Sequence, residues 1–169
     1  MASSLSNMSD AAPSVAAIRT LALVGPAAAG KTSLAEALLH RAGAIQVQGS
    51  VERGSTVSDF DPMERRLQHS LNSSLLHFKH DGCRVHMIDT PGYPDFLGPA
   101  LSALEAVETA AIVINAANGV EPMAQRMMDY AASRQLDRII IVNKIDAQGS
   151  TWQRCWRRSR RPSARNACH

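Results

Sequence analysis

The sequence has little cysteine, and what it has falls into no useful pattern. Cys83, Cys155 and Cys168 are the three in 169 residues, and they fit neither a disulfide framework nor a metal-ligand spacing. A disulfide-stapled secreted fold is excluded, and a reducing cytosol is the expected setting. Long apolar runs are also missing. None approaches the roughly 20 residues that a membrane-spanning helix needs, so no membrane partner is expected. The start, Met1-Ala2-Ser3-Ser4-Leu5, lacks both a basic segment and a sustained apolar one, so no secretory signal is expected. No internal repeat is visible. His40, His69, His77, His80 and His86 have no ligand spacing and read as surface or core polar residues.

Acid is absent from one end of the chain. Residues 151–169 hold six Arg and no Asp or Glu, whereas residues 1–150 hold 12 Lys and Arg against 15 Asp and Glu. The formal net charge of +3 therefore hides a body at −3 and a tail at +6.

What is present is enough apolar side chain, 45% of the residues, for one domain with a core. Residues 1–16 are Ser- and Ala-rich and read as a disordered leader. The apolar run Ile18–Val24 predicts a buried strand, and Lys31–Arg41 a helix. Gly43 to Asn72 is polar and reads as a long loop, a length that usually signals function or disorder. Ser73–His80 and Arg84–Ile88 predict two strands joined by Asp81-Gly82, a strong hairpin signal. Leu97–Thr109 has helical spacing of Leu97, Leu101, Leu104 and Val107. Ala110–Asn115 predicts a strand. Glu121–Arg134 predicts a helix with Met123, Met127, Met128 and Ala131 inward as core packing. Ile139–Val142 predicts another buried strand. Strands alternating with helices imply a three-layer α/β domain. Its sheet is mostly parallel, with one antiparallel edge hairpin.

Three motifs carry the chemistry. Gly25-Pro26-Ala27-Ala28-Ala29-Gly30-Lys31-Thr32 fits the phosphate-binding loop G-x-x-x-x-G-K-[ST], in the strand–loop–helix context that the motif needs. Its N–H groups and the following helix N-terminus form an anion site. Lys31 can reach terminal phosphates, and the Thr32 hydroxyl can ligate Mg²⁺. Asp89-Thr90-Pro91-Gly92 follows a strand end, where Asp89 can hold Mg²⁺ and the Gly92 N–H can meet a γ-phosphate. Alone this second motif is indistinguishable from an ordinary turn; its place in the order gives it weight. Asn143-Lys144-Ile145-Asp146 closes the set. The Asp146 carboxylate can accept from both the ring N–H and the exocyclic amine of guanine, a pattern adenine lacks. An unmatched buried acceptor discriminates by roughly 10⁴. Lys144 can cover the base, and Asn143 can tie the base loop to the phosphate loop. The nucleotide is therefore read as a guanine nucleotide.

With these motifs in this order, residues 17–149 resemble the N-terminal GTP-binding domain of translational GTPases, most closely the elongation factor G group. The resemblance rests also on Tyr93-Pro94-Asp95-Phe96, on Asn118-Gly119-Val120 and on Gln125. It implies a P-loop GTPase with GTP/GDP and Mg²⁺ as ligands, slow intrinsic hydrolysis and the ribosome as partner. Two residues depart from the elongation factor G pattern. Tyr93 stands where that group has a water-orienting His, and a phenol does not accept a proton at neutral pH as imidazole does. This is similar to elongation-factor-G-like paralogues, so weak hydrolysis is expected. Ser70 stands loosely where the family has a Thr that reaches Mg²⁺. If Ser70 takes that place, Gly49–Asn72 is a switch ordered by GTP.

The last segment, 150–169, does not resemble the domain it follows. It holds both tryptophans and two of the three cysteines. One reading is an RNA-binding arm, because Arg and aromatics contact phosphates and bases. The other is a frameshifted, non-native end, leaving the domain without its last strand and helix. A back-translation of Trp152–Arg157 read one base earlier gives Leu-Ala-Ala-Leu-Leu-Ala, a helix-forming composition. The second reading is preferred, so direct RNA binding by the tail is not expected. It leaves open an alternative function class: a poorly folded, non-catalytic remnant.

Overall fold

The structure, a computed structural model, describes residues 14–58 and 72–147. Most of the expected leader, the segment with Ser70 and the basic tail lie outside the described residues. The elements in chain order are β1 (Ile18–Val24), α1 (Lys31–Arg41), β2 (Ser74–His80), β3 (Cys83–Asp89), α2 (Leu97–Glu105), β4 (Thr109–Asn115), α3 (Pro122–Ser133) and β5 (Asp137–Asn143).

One five-stranded sheet runs in the order β2-β3-β1-β4-β5. The strands β3, β1, β4 and β5 are parallel, with Leu23 opposite Asp89 and Val24 opposite Ile112. The β2 strand pairs antiparallel with β3. The hairpin turns on Asp81 and Gly82, at φ +45° and +75°. Both central residues in the left-handed region match the twist of the flanking strands.

Because side chains alternate along a strand, β1 and β4 feed two cores. Ala22, Val24, Ile112 and Ile114 meet α2 and α3 on one face through Leu104, Ala124 and Met127. Leu23, Ala111, Val113 and Met87 meet α1 on the other through Ala35 and Leu39. The result is the expected three-layer sandwich. Met127 and Ala131 are buried completely, and Met123 is nearly so; Met128 packs at the margin.

Two expectations need correction. The helix expected over Leu97–Thr109 ends at Glu105. Thr109 instead starts β4, opposite Leu21 on one side and Asp137 on the other, and the Glu108 N–H donates to Thr20 Oγ1 at 2.9 Å. Sheet pairing overrides the local helical period there. The strand Ile139–Val142 exists, within longer bounds, but it is not buried. Among the described residues β5 lies at the sheet edge, and Ile139 and Ile140 are 52% and 58% exposed.

Candidate functional site

The loop after β1 passes over the sheet end in a conformation that only particular residues permit. Gly25 has φ +137°, and a Cβ there would collide with the carbonyl of Val113 in β4. Gly30, at φ +92°, is the left-handed residue that opens α1, which has no side-chain cap. A Cβ on Gly30 would strike the Asn143 amide nitrogen. The glycines thus let the loop lie flat against β4 and the end of β5.

Lys31, the first residue of α1, is only 6% exposed. Its Nζ donates to the carbonyls of Gly25 at 3.0 Å and Pro26 at 2.9 Å. Burial pushes its pKa from the ordinary 10.5 down to about 8, against the opposing charges of Asp89 and Glu121. An ammonium held this way is stabilised by any anion brought to it.

Beside it, Thr32 Oγ1 donates to Asp89 Oδ2 at 2.7 Å. Asp89 is the last residue of β3 and is 1% exposed. The next residue, Thr90, donates its hydroxyl to the carbonyl of Leu23 at 2.7 Å, which locks the turn onto β1. Gly92 then crosses the phosphate loop. A Cβ on it would collide with Lys31 Nζ and would sit 2.6 Å from the backbone of both Pro26 and Ala27. Asn143, at the end of β5, donates to the carbonyl of Ala29 at 2.9 Å and accepts from the Lys144 N–H at 2.9 Å.

These parts surround a cleft of about 510 Å³, a ligand-sized volume. Ala27, Ala28, Gly30, Lys31 and Thr32 of the phosphate loop and α1 line it, together with Thr90, Pro91, Gly92 and Tyr93 after β3 and Lys144 after β5. Tyr93 is 42% exposed. Asp146 is exposed in the turn after β5 and is not among the cleft-lining residues. Ser70 lies outside the described residues. Gln48 was missed by the sequence reading; with Gly49, Ser50, Val51 and Glu52 it forms a further wall. No local pattern marks that stretch except Gly49.

The site fits a nucleotide and a hard cation. A threonine hydroxyl beside a strand-end carboxylate, at the mouth of a phosphate loop, is the donor set that Mg²⁺ takes with phosphate and water. Among the described residues no cluster of three His, Cys, Asp or Glu could hold a metal without such help.

A flat glycine loop, a buried lysine and a parallel sheet whose strand ends converge on one cleft define a P-loop nucleotide-binding domain. The sequence profile described as "Elongation factor Tu GTP binding domain" matches residues 16–164. An elongation factor G-like protein of Mycobacterium tuberculosis is 38% identical over 129 residues, 76% of this chain and 18% of its own length. Peptide chain release factor 3 of Bordetella pertussis is 38% identical over 138 residues, 79% of this chain and 26% of its own. A crystal structure of a Thermus thermophilus protein superposes with a TM-score of 0.78 at 37% identity, covering 84% of this chain and 22% of that one. A bacterial selenocysteine-specific elongation factor shares the fold at TM-score 0.61 and 19% identity, covering 76% of this chain and 20% of its own. The chain belongs to the translational GTPases, as an N-terminal GTP-binding domain of the elongation factor G-like and release factor 3 type. It spans about a fifth to a quarter of the curated relatives' length.

Proposed function

We propose that the chain binds GTP and GDP with Mg²⁺ in the cleft, and that its own hydrolysis of GTP is weak. The observation that carries this is the buried Lys31, hydrogen-bonded to two carbonyls of its own loop beneath Gly92. It is a positive charge kept out of water on neutral hydrogen-bond partners, and a phosphate would stabilise it. The N–H groups of Ala27 to Thr32 and the start of α1 would receive the phosphates. Thr32 and Asp89 would hold Mg²⁺, with Ser70 as the third residue assigned to it. Magnesium, when bound, would neutralise phosphate charge. Asp146 would read the guanine edge, Lys144 would cover the base, and Asn143 would keep that turn attached to the phosphate loop. Tyr93 lines the cleft where the elongation factor G group has a His. A phenol orients water but does not take its proton at neutral pH, and that supports weak hydrolysis. The ribosome is the partner and the cytoplasm the setting that the family membership supports.

The test is equilibrium binding of fluorescent GTP, GDP and ATP with Mg²⁺, together with thermal unfolding. GTP at a hundredfold excess over its dissociation constant should add about 2.7 kcal/mol to stability, and ATP should add nothing. Equal stabilisation by ATP would sink the assignment of Asp146. A turnover by the free chain matching the ribosome-stimulated family rate would sink weak hydrolysis.

A second reading, a non-catalytic remnant, is favoured by one observation: the half-exposed Ile139 and Ile140 on the edge strand β5. Exposed apolar edges pair with other chains. Concentration-dependent loss of soluble chain with no stabilisation by GTP and Mg²⁺ would favour it.

A further inference from the structure

Glu36 is an acid that the nucleotide reading leaves without a task. It sits in α1, five residues after Lys31, and is 1% exposed. Its neighbours on the inner side of the helix, Ala35 and Leu39, belong to the core against the sheet. A buried carboxylate needs strong hydrogen-bond partners to be tolerated there. Glu36 finds them in one place. Oε2 accepts from the Gly49 N–H at 2.8 Å, and Oε1 accepts from the Val57 N–H at 2.5 Å. Between these two points the chain closes on itself. The Ser55 N–H donates to the Ser50 carbonyl at 3.1 Å, and the Gly54 N–H to the Val51 carbonyl at 3.0 Å. The Ser50 N–H donates to Ser55 Oγ at 3.0 Å. One side chain therefore grips both stems of a self-closed turn.

That turn carries Gly49, Ser50, Val51 and Glu52, a wall of the cleft. Gly49 is matched to the grip. A Cβ there would lie 2.5 Å from the Ser55 carbonyl oxygen and 2.7 Å from Glu36 Oε2. Only a side chain with two acceptor oxygens at this length serves both donors. Glutamine would present an NH₂ to one of them, and aspartate is a methylene short.

We propose that Glu36 is a positioning residue for nucleotide retention: its buried carboxylate fixes both stems of the Gly49–Val57 turn and so holds the cleft wall against the phosphate loop. This rests on the nucleotide-binding reading above. Glu36 itself does not line the cleft. It acts through the backbone it holds, and helix α1 joins it rigidly to Lys31 and Thr32. Wall and phosphate loop then move as one body.

The experiment compares Glu36→Gln with Leu39→Ala, a cavity in the same helix facing the sheet. Release of fluorescent GDP and amide exchange at Gly49 and Val57 are measured at a temperature where every variant is folded. Glu36→Gln should speed release about tenfold or more and unprotect at least one of the two amides. Leu39→Ala should lower the melting temperature at least as much and change release by no more than about twofold. Equal acceleration in both variants, or unchanged release in Glu36→Gln, overturns the proposal. If Glu36→Gln does not fold, Gly49→Ala displaces the same stem from the other side and must speed release in its place. Failure of the unmodified chain to bind any guanine nucleotide overturns the nucleotide reading itself. Normal binding with unchanged release in the variants overturns only the role of Glu36.

Discussion

Gly92 and Gly98 stand six residues apart under opposite constraints. Gly92 touches Lys31 Nζ and the backbone of Pro26 and Ala27 so closely that no Cβ fits, whereas a Cβ on Gly98 meets nothing within 4 Å. Backbone cannot yield as a flexible side-chain tip can, so Gly92→Ala must part the two loops. It should cost about 1–3 kcal/mol and remove most of the GTP-dependent rise in melting temperature. Gly98→Ala, in the first turn of α2, should be neutral or stabilising by up to about 1 kcal/mol, with GTP binding unchanged. Urea unfolding with and without GTP and Mg²⁺ measures both; matching losses in the two variants would refute the close approach. The same contrast explains why the phosphate loop was legible and its surroundings were not. Gly25, Gly30, Lys31 and Thr32 act on one another within eight residues, so their spacing carries the chemistry. Glu36 acts on Gly49 and Val57, 13 and 21 residues away. A lone Glu among Leu and Ala has no spacing by which to be found.

At the scale of elements, α1 was readable to the residue because its start is set by the motif and by a left-handed Gly30. The end of α2 was not. Leu97, Leu101, Leu104 and Val107 keep helical period, and Val107 is buried at 8% exposure although it lies beyond the helix. Burial at the right interval does not require helix. The β5 strand shows the converse limit. Its Ile-Ile-Ile-Val run has the composition of a buried parallel strand, yet burial also depends on a neighbour, which composition does not report. Ile140 pairs in register with Ile112 of β4, but Ile112 is 1% exposed and Ile140 58%. Ile112→Ala should therefore cost about 2–5 kcal/mol by leaving a cavity. Ile140→Lys should change stability by no more than about 0.5 kcal/mol while reducing self-association, because a charged side chain blunts an edge strand. Denaturant unfolding and light scattering at rising concentration separate these outcomes. A large stability loss in Ile140→Lys would mean that this strand is covered.

For the whole molecule, the sheet order puts every nucleotide motif at one end. The chains leaving β1, β3 and β5 supply the phosphate loop, Asp89–Gly92 and Asn143–Asp146. All three strands are parallel, so their carboxyl ends open on the same side, where open α/β sheets bind ligands. The described part thus carries the phosphate loop and Asp89–Gly92 on inner strands, and the turn bearing Asp146 hangs from its outermost strand. The basic segment that follows bears on whether that strand needs more chain. The family profile extends to residue 164, while the change from a body at −3 to a tail at +6 falls near residue 150. If 150–169 is foreign to the domain, a chain ending at residue 149 should melt within about 2 °C of the full chain and bind GDP within about twofold. Retention on RNA should be the same for the two chains at about 150 mM salt, where phosphate contacts by six arginines would otherwise show a steep salt dependence. GDP titration, thermal unfolding and RNA binding at two salt concentrations measure all three. A tenfold loss of GDP affinity on truncation would mean that the tail covers β5 and braces the Asn143–Asp146 turn, and loss of RNA binding alone would make it an arm.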